Sequence, residues 1–427
     1  MIIFEPDNPP RSPPYPYLNS TLTPKSEHIF QALFQKKFHH IKPFYLNTCS
    51  KNTSAKLNNP LVRQQQITNP KNISKMKKVA LFLAIALGAM SASAQNIAKN
   101  ELKQLQAFLA QPAAEATTNA EALKISDTKN VASWEGVTVE NGHVTAIDWK
   151  DKKIAGTLNL ADFTALKKVD VSRNKLTAMT VDNDAALTDV NASRNALAEF
   201  SMNGCSQVTD LSVNNNRLNA IDITAVPFIQ KLNVASNHLV SLNVSNSATL
   251  KELNCQSNEI ETLSVDNCTA LENLYCGYNK LTNLTLAGLI SLKNLNVDDN
   301  QLSNMIVSNL PALSFFVCSD NDMKTLTVSK CGALLDLVCS YNDLTSLNVQ
   351  ECPQLQFVDC SYNDLTSLTL SNQTFLQRLL CDNNELTSLD VTFDSSLTYI
   401  NCRYNQLVTL LTMGCPNLHM VASEFNY

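Results

Sequence analysis

From residue 174 to residue 426 asparagine stands at every twenty-first position, with no insertion or deletion: Asn174, Asn195, Asn216, Asn237, Asn258, Asn279, Asn300, Asn321, Asn342, Asn363, Asn384, Asn405 and Asn426. Strict self-similarity at such a period is the mark of a solenoid, in which each repeat is one turn that buries its apolar side only against its neighbours. The residues around each Asn repeat as well. Leu, Val or Ile stands eight residues before it (Leu250, Leu355, Leu397), and a second large apolar residue five before it (Leu253, Val358, Ile400). Three before it comes Val or Cys, with Ala192 and Ser423 as the exceptions. Apolar residues return two, five and seven positions after it, as in Leu344, Leu347 and Val349.

Apolar residues at minus eight, minus five and minus three alternate in the manner of a short strand with one buried face. The returning piece, Leu344-Thr345-Ser346-Leu347-Asn348-Val349, also alternates with period two and lacks helix formers, so it reads as extended rather than helical. Each Asn turns the chain inward between the two. Its side-chain amide, with two donors and an acceptor, is expected to satisfy backbone groups of its own and of the next turn.

The unit Leu-x-x-Leu-x-Cys/Val-x-x-Asn-x-Leu-x-x-Leu-x-Val resembles the leucine-rich-repeat superfamily, and within it the 21-residue, cysteine-containing, internalin-like variant of bacterial surface proteins; the resemblance covers residues 144–427. It implies a solenoid of about fourteen turns, a horseshoe or gently curved rod with short parallel strands on its concave face and extended, non-helical convex segments. At about 4.8 Å per rung such a rod is roughly 65 Å long. Residues 95–143 are expected to cap its start. Within them, residues 97–111 form a candidate helix with Leu102, Leu105, Phe108 and Leu109 on one side. Val144, Ile147, Trp149 and Ile154 fit a first turn of 22 residues.

Ahead of the cap, Met76-Lys77-Lys78, the apolar run Val79–Met90 and Ala92-Ser93-Ala94 have the three parts of a secretory signal peptide, 76–94, with cleavage expected after Ala94. No cysteine follows the cleavage point for lipidation, and no other segment reaches the roughly 18 apolar residues of a membrane helix. Residues 1–75, rich in Pro, Asn, Gln and Lys, read either as a disordered leader or, the reading adopted, as sequence upstream of a true start at Met76. The expected location is therefore secreted, periplasmic or on the cell surface. After removal of residues 1–94 the chain keeps 21 basic and 35 acidic residues, a net charge of −14. That balance disfavours nucleic acid and anionic lipid, both of which are gripped by Lys and Arg.

Twelve of the 13 cysteines lie beyond residue 94. Seven (Cys255, Cys276, Cys318, Cys339, Cys360, Cys381, Cys402) occupy the minus-three core slot, and five (Cys205, Cys268, Cys331, Cys352, Cys415) occupy a slot ten residues after the Asn. Val or Ala fills the first slot in other turns, and Leu289, Leu310 and Val226 stand in the second, so cysteine acts as a small buried hydrophobe and is expected to stay reduced. Thiols in a line inside a core do not converge as zinc requires, and no metal or cofactor is expected. The three remaining histidines, His143, His238 and His419, fall in separate regions, and no phosphate loop or nucleophile elbow is present. No enzyme is implied. Asp322, Asp343, Asp364 and Glu385 form a column of like charge, read as a solvated face.

On the concave strands the outward positions are minus six, minus four and minus two. In the early turns they are polar (Lys168, Asp170, Asp189, Lys231), whereas later they include Tyr275, Phe315, Val317, Phe357, Leu380 and Tyr399. Phe315, Phe357 and Tyr399 recur at 42-residue spacing, with Asp336 and Arg378 in the turns between. One column should therefore present aromatic rings roughly 10 Å apart, with slots between them where charged groups accept or donate hydrogen bonds. Tyr278, Tyr341, Tyr362 and Tyr404, each just before its Asn, lie on the rim and serve either a ligand or one another by stacking. The expectation is a scaffold that binds a protein or glycan through these residues. The alternative is a structural protein that self-associates through its open C-terminal edge.

Overall fold

The structure, a computed structural model, describes residues 2–3, 97–370 and 373–426. The expected signal peptide and, apart from Ile2–Ile3, the expected leader lie outside the described residues. The expected strand of each turn forms. One sheet of 15 strands runs through the repeat region; an antiparallel pair, Val137–Glu140 with His143–Asp148, opens it, and every later strand joins in parallel. From His143–Asp148 to Met420–Ala422 there are fourteen parallel strands, which enclose thirteen complete turns. Register between neighbours is constant at 21 residues from Lys168 onward, as in Phe315 beside Asp336 and Asp336 beside Phe357. The returning pieces are extended and pair in smaller parallel sheets, for example Asn304–Ser308, Thr325–Ser329 and Ser346–Gln350.

Alternation decides what is inside. Leu355, Val358 and Cys360, at minus eight, minus five and minus three of Asn363, are completely buried, and so is Leu365 two residues after it. Polar groups close the turn. The Asn342 amide nitrogen donates to the carbonyls of Cys339 and Ser340 in its own turn and of Cys318 in the turn before, at 3.0–3.3 Å. Its oxygen accepts the Met323 N–H at 3.1 Å. The bridging partner is thus the preceding turn, not the next one as the sequence suggested, because the side chain follows the inward kink back toward the carbonyls already laid down.

That kink has a backbone cause. The residue before each ladder Asn takes a left-handed conformation, with φ of 60° at Arg173, 54° at Tyr341 and Tyr362, and 52° at Tyr404. A second left-handed corner precedes the plus-ten slot, at Asn183, Gly204, Asn267 and Gly288 among others. Two such corners in most of the described turns are how 21 residues close a loop without a helix.

At the N-terminal end helix α1, Lys99–Leu109, buries Leu105, Phe108 and Leu109 against the first turn. Phe108 stacks on Trp149 at 5.8 Å. Glu101, buried beneath the helix, accepts the Val144 N–H at 2.9 Å and lies 2.8 Å from His143 Nδ1. Two side-chain amides cover the backbone of Ala155–Asn159: Gln111 donates to and accepts from Thr157, and Asn119 does the same with Ala155. The backbone groups of Ala155 and Thr157 on this edge strand are thereby no longer available to another chain. At the opposite end Met420–Ala422 is the last strand of the long sheet, and Ile2–Ile3 pair antiparallel with Thr409 and Leu410 of a smaller return-piece sheet.

Candidate binding face

The residues brought together are those of the minus-six column. Phe315, Asp336, Phe357, Arg378, Tyr399 and Met420 are successive register partners on adjacent parallel strands. Beside them runs the minus-four column, Val317, Val338, Asp359, Leu380 and Asn401. Tyr275 stands in that second column, two turns earlier, next to Asn254 and Asn296. It is partly buried, and burial raises its phenol above the ordinary value.

The slot expected between Phe357 and Tyr399 is filled. The Arg378 guanidinium lies 5.6 Å from the centroid of each ring, a flat cation between two aromatic faces. The aromatic rings are therefore half-buried rather than simply pointing to solvent, while Arg378 itself stays exposed. The physical reason is reach: a guanidinium one rung away is drawn onto the negative faces of both rings.

The rim tyrosines divide. Tyr341 and Tyr362 stack at 4.4 Å with rings 8° from parallel, and Tyr404 stacks on Phe425 in the same way. Tyr278, Tyr341, Tyr362 and Tyr404 all remain 38–51% exposed. Stacking and exposure coexist because the left-handed backbone throws each ring outward along one line.

The column of Asp322, Asp343, Asp364 and Glu385 is exposed, and among the described residues no group of three or more metal-ligating side chains converges. Sequence reasoning missed the acids in the plus-ten slot. Asp184 is completely buried and accepts the Phe163 N–H at 2.7 Å through Oδ1, while its Oδ2 has no hydrogen-bond partner. Burial pushes its carboxyl up to about 8. The Asp394 carboxylate accepts the Gln373 N–H at 2.7 Å in the same way. Both tie one turn to the turn before, so their role is structural. Their only sequence signal is that they replace Cys or Leu at a repeated position.

No family model matches the chain. No curated protein matches it either. Among solved structures it is similar to the leucine-rich effector YopM of Yersinia pestis, at 25% identity over 64% of this chain and 78% of that one, with a TM-score of 0.52. It has a leucine-rich-repeat fold. Two further solved structures are also similar to this chain. One is the functional domain of Listeria monocytogenes InlJ, described as including a cysteine ladder (22% identity, 63% and 67% of the two chains, TM-score 0.44). The other is the Arabidopsis receptor kinase HAESA, in complex with a peptide hormone and a co-receptor (18% identity, 73% and 66%, TM-score 0.40). In this leucine-rich-repeat chain the twelve described cysteines are all free thiols, eleven buried and Cys415 partly so. Among the described residues no helix is long and apolar enough to cross a membrane.

Proposed function

We propose that this leucine-rich-repeat protein is an exported, non-enzymatic recognition scaffold that binds a protein partner through the outer face of its long sheet between Phe315 and Tyr399. The observation that carries this reading is the Phe357–Arg378–Tyr399 stack, held in register on three adjacent strands and flanked by Phe315, Leu380 and Val317. A rigid apolar patch with an oriented arginine has the composition of a binding hot spot, where aromatic residues and Arg dominate. Strands fix these side chains at little further entropic cost on binding. Export rests on the sequence of residues 76–94 alone.

The test compares a triple replacement of Phe315, Phe357 and Tyr399 by Ser with a control triple of Lys168, Asp189 and Lys231 by Ser. Peptide and glycan arrays are probed with parent and variants. Loss of peptide binding confined to the aromatic triple is the expected result. Equal binding by both folded triples would place the site elsewhere, and signals on the glycan array alone would replace the protein partner by a sugar.

A further inference from the structure

The twelve described thiols are not equivalent. Those of the minus-three column are sealed in the core, where burial pushes Cys255 up to about 12 and Cys276, Cys339 and Cys381 well above their ordinary value. A thiol that does not ionise neither attacks nor exchanges. In the plus-ten column Cys205, Cys268 and Cys415 each donate to the carbonyl 24 residues earlier, at 2.8 Å (Val181), 3.0 Å (Val244) and 2.9 Å (Val391).

Cys331 and Cys352 depart from this pattern. Their distances to the corresponding carbonyls, Val307 and Val328, are 4.0 Å in both cases. Their sulfurs turn instead toward Ser329 (3.4 Å) and Gln350 (3.3 Å). They are the only plus-ten cysteines in consecutive turns. Ser329 and Gln350 are register partners, and the left-handed corners Lys330 and Glu351 then carry both chains into the slot side by side. The two thiols act on each other from adjacent rungs, Cys352 holding Cys331 below its ordinary value and Cys331 raising Cys352. Cys352 also lines a cavity of about 550 Å³, together with Lys330, Glu351 and Gln373. Rungs about 4.8 Å apart put their Cα atoms within the range that a disulfide spans.

We infer that Cys331 and Cys352 form a dithiol modification site, opening on this cavity, that a low-molecular-weight disulfide oxidises to an inter-rung disulfide. One thiol of the pair, as thiolate, attacks a sulfur of the oxidant and expels half of it as a thiolate, leaving a mixed disulfide. The other thiol loses its proton and attacks the protein sulfur of that mixed disulfide. The second half of the oxidant departs as thiolate, and the two thiolates take up the two protons released. Two protein thiols are oxidised and one external disulfide is reduced, so the balance closes. The minus-three cysteines, although also one rung apart, line no part of this cavity, which Cys352 reaches directly and Cys331 only through Cys352.

The experiment exposes the folded full chain to oxidised glutathione, quenches it with an alkylating agent in denaturant, and maps the peptides by mass. The expected result is the loss of two free thiols as a single Cys331–Cys352 crosslink, two hydrogens lighter and reversed by dithiothreitol. In C331S and in C352S the crosslink should vanish and a glutathione adduct should remain on the surviving partner; C205S should behave like the parent. The parent map alone already decides the matter if a variant does not fold. A crosslink between minus-three cysteines, or full recovery of Cys331 and Cys352 as free thiols under conditions that oxidise the unfolded chain, would overturn the assignment.

Discussion

The guanidinium carbon of Arg378 lies 5.6 Å from the centroid of the Phe357 ring, one rung away, and the same distance from Tyr399 on the other side. An exposed cation over one ring contributes about 0.5–1 kcal/mol, and here one cation serves two rings. Arg378→Gln should therefore lower stability by about 1 kcal/mol, with Arg378→Lys falling between because an ammonium has no flat face. Urea unfolding of the three proteins checks this. Equal midpoints would mean that the stack contributes nothing.

The two N–H groups of Asn342 reach three carbonyls, one N–H being shared, and its oxygen accepts one bond, linking its own turn to the one before. Asn342→Ala leaves buried backbone groups unpaired and should cost on the order of 1–3 kcal/mol. Asn342→Asp should be no better, since it sets a carboxylate against three carbonyls. Thermal melts decide, and ligand binding should follow folding: an Asn342→Ala protein that melts like the parent but no longer binds would reassign this residue to recognition.

Tyr341 combines a left-handed φ of 54° with a stack on Tyr362. Removing the ring while keeping a Cβ retains the backbone strain, whereas glycine removes both, and the left-handed region costs a residue with a Cβ about 1–2 kcal/mol. Tyr341→Gly should consequently be more stable than Tyr341→Ala. The reverse order in denaturant titrations would show that the corner is unstrained.

The Asp184 carboxyl is pushed up to about 8, chiefly by burial and further by Asp162, Asp182 and Glu101, against an unfolded value of 3.8. Between these values the native state holds a proton that the unfolded chain has lost. Stability contributed by this group is thus complete below about pH 4, falls as pH rises, and levels off above about 8, with a slope approaching 1.4 kcal/mol per pH unit. Asp184→Asn, neutral throughout, should flatten the stability profile over this window. A profile of unchanged steepness would show that Asp184 is ionised in the native state.

Much of this was legible in one dimension. The 21-residue period, the apolar slots at minus eight, minus five and minus three, and the extended return segment follow from side-chain alternation, which is a property of the chain itself. Register came with them, because a repeat without insertions can pair with its neighbour in only one way that keeps every apolar slot inside. The fold and the alignment of Phe315, Phe357 and Tyr399 were therefore determined by the sequence. What it could not state was how side chains of adjacent turns use the space between rungs. Arg378 closing the slot between two rings, Asn342 reaching back to Cys318, Gln111 and Asn119 covering a strand edge, and Cys331 turning toward Cys352 all depend on rotamers chosen among several of similar energy. Those choices were decided only by the tertiary structure, where a neighbour 4.8 Å away supplies the partner that selects one rotamer.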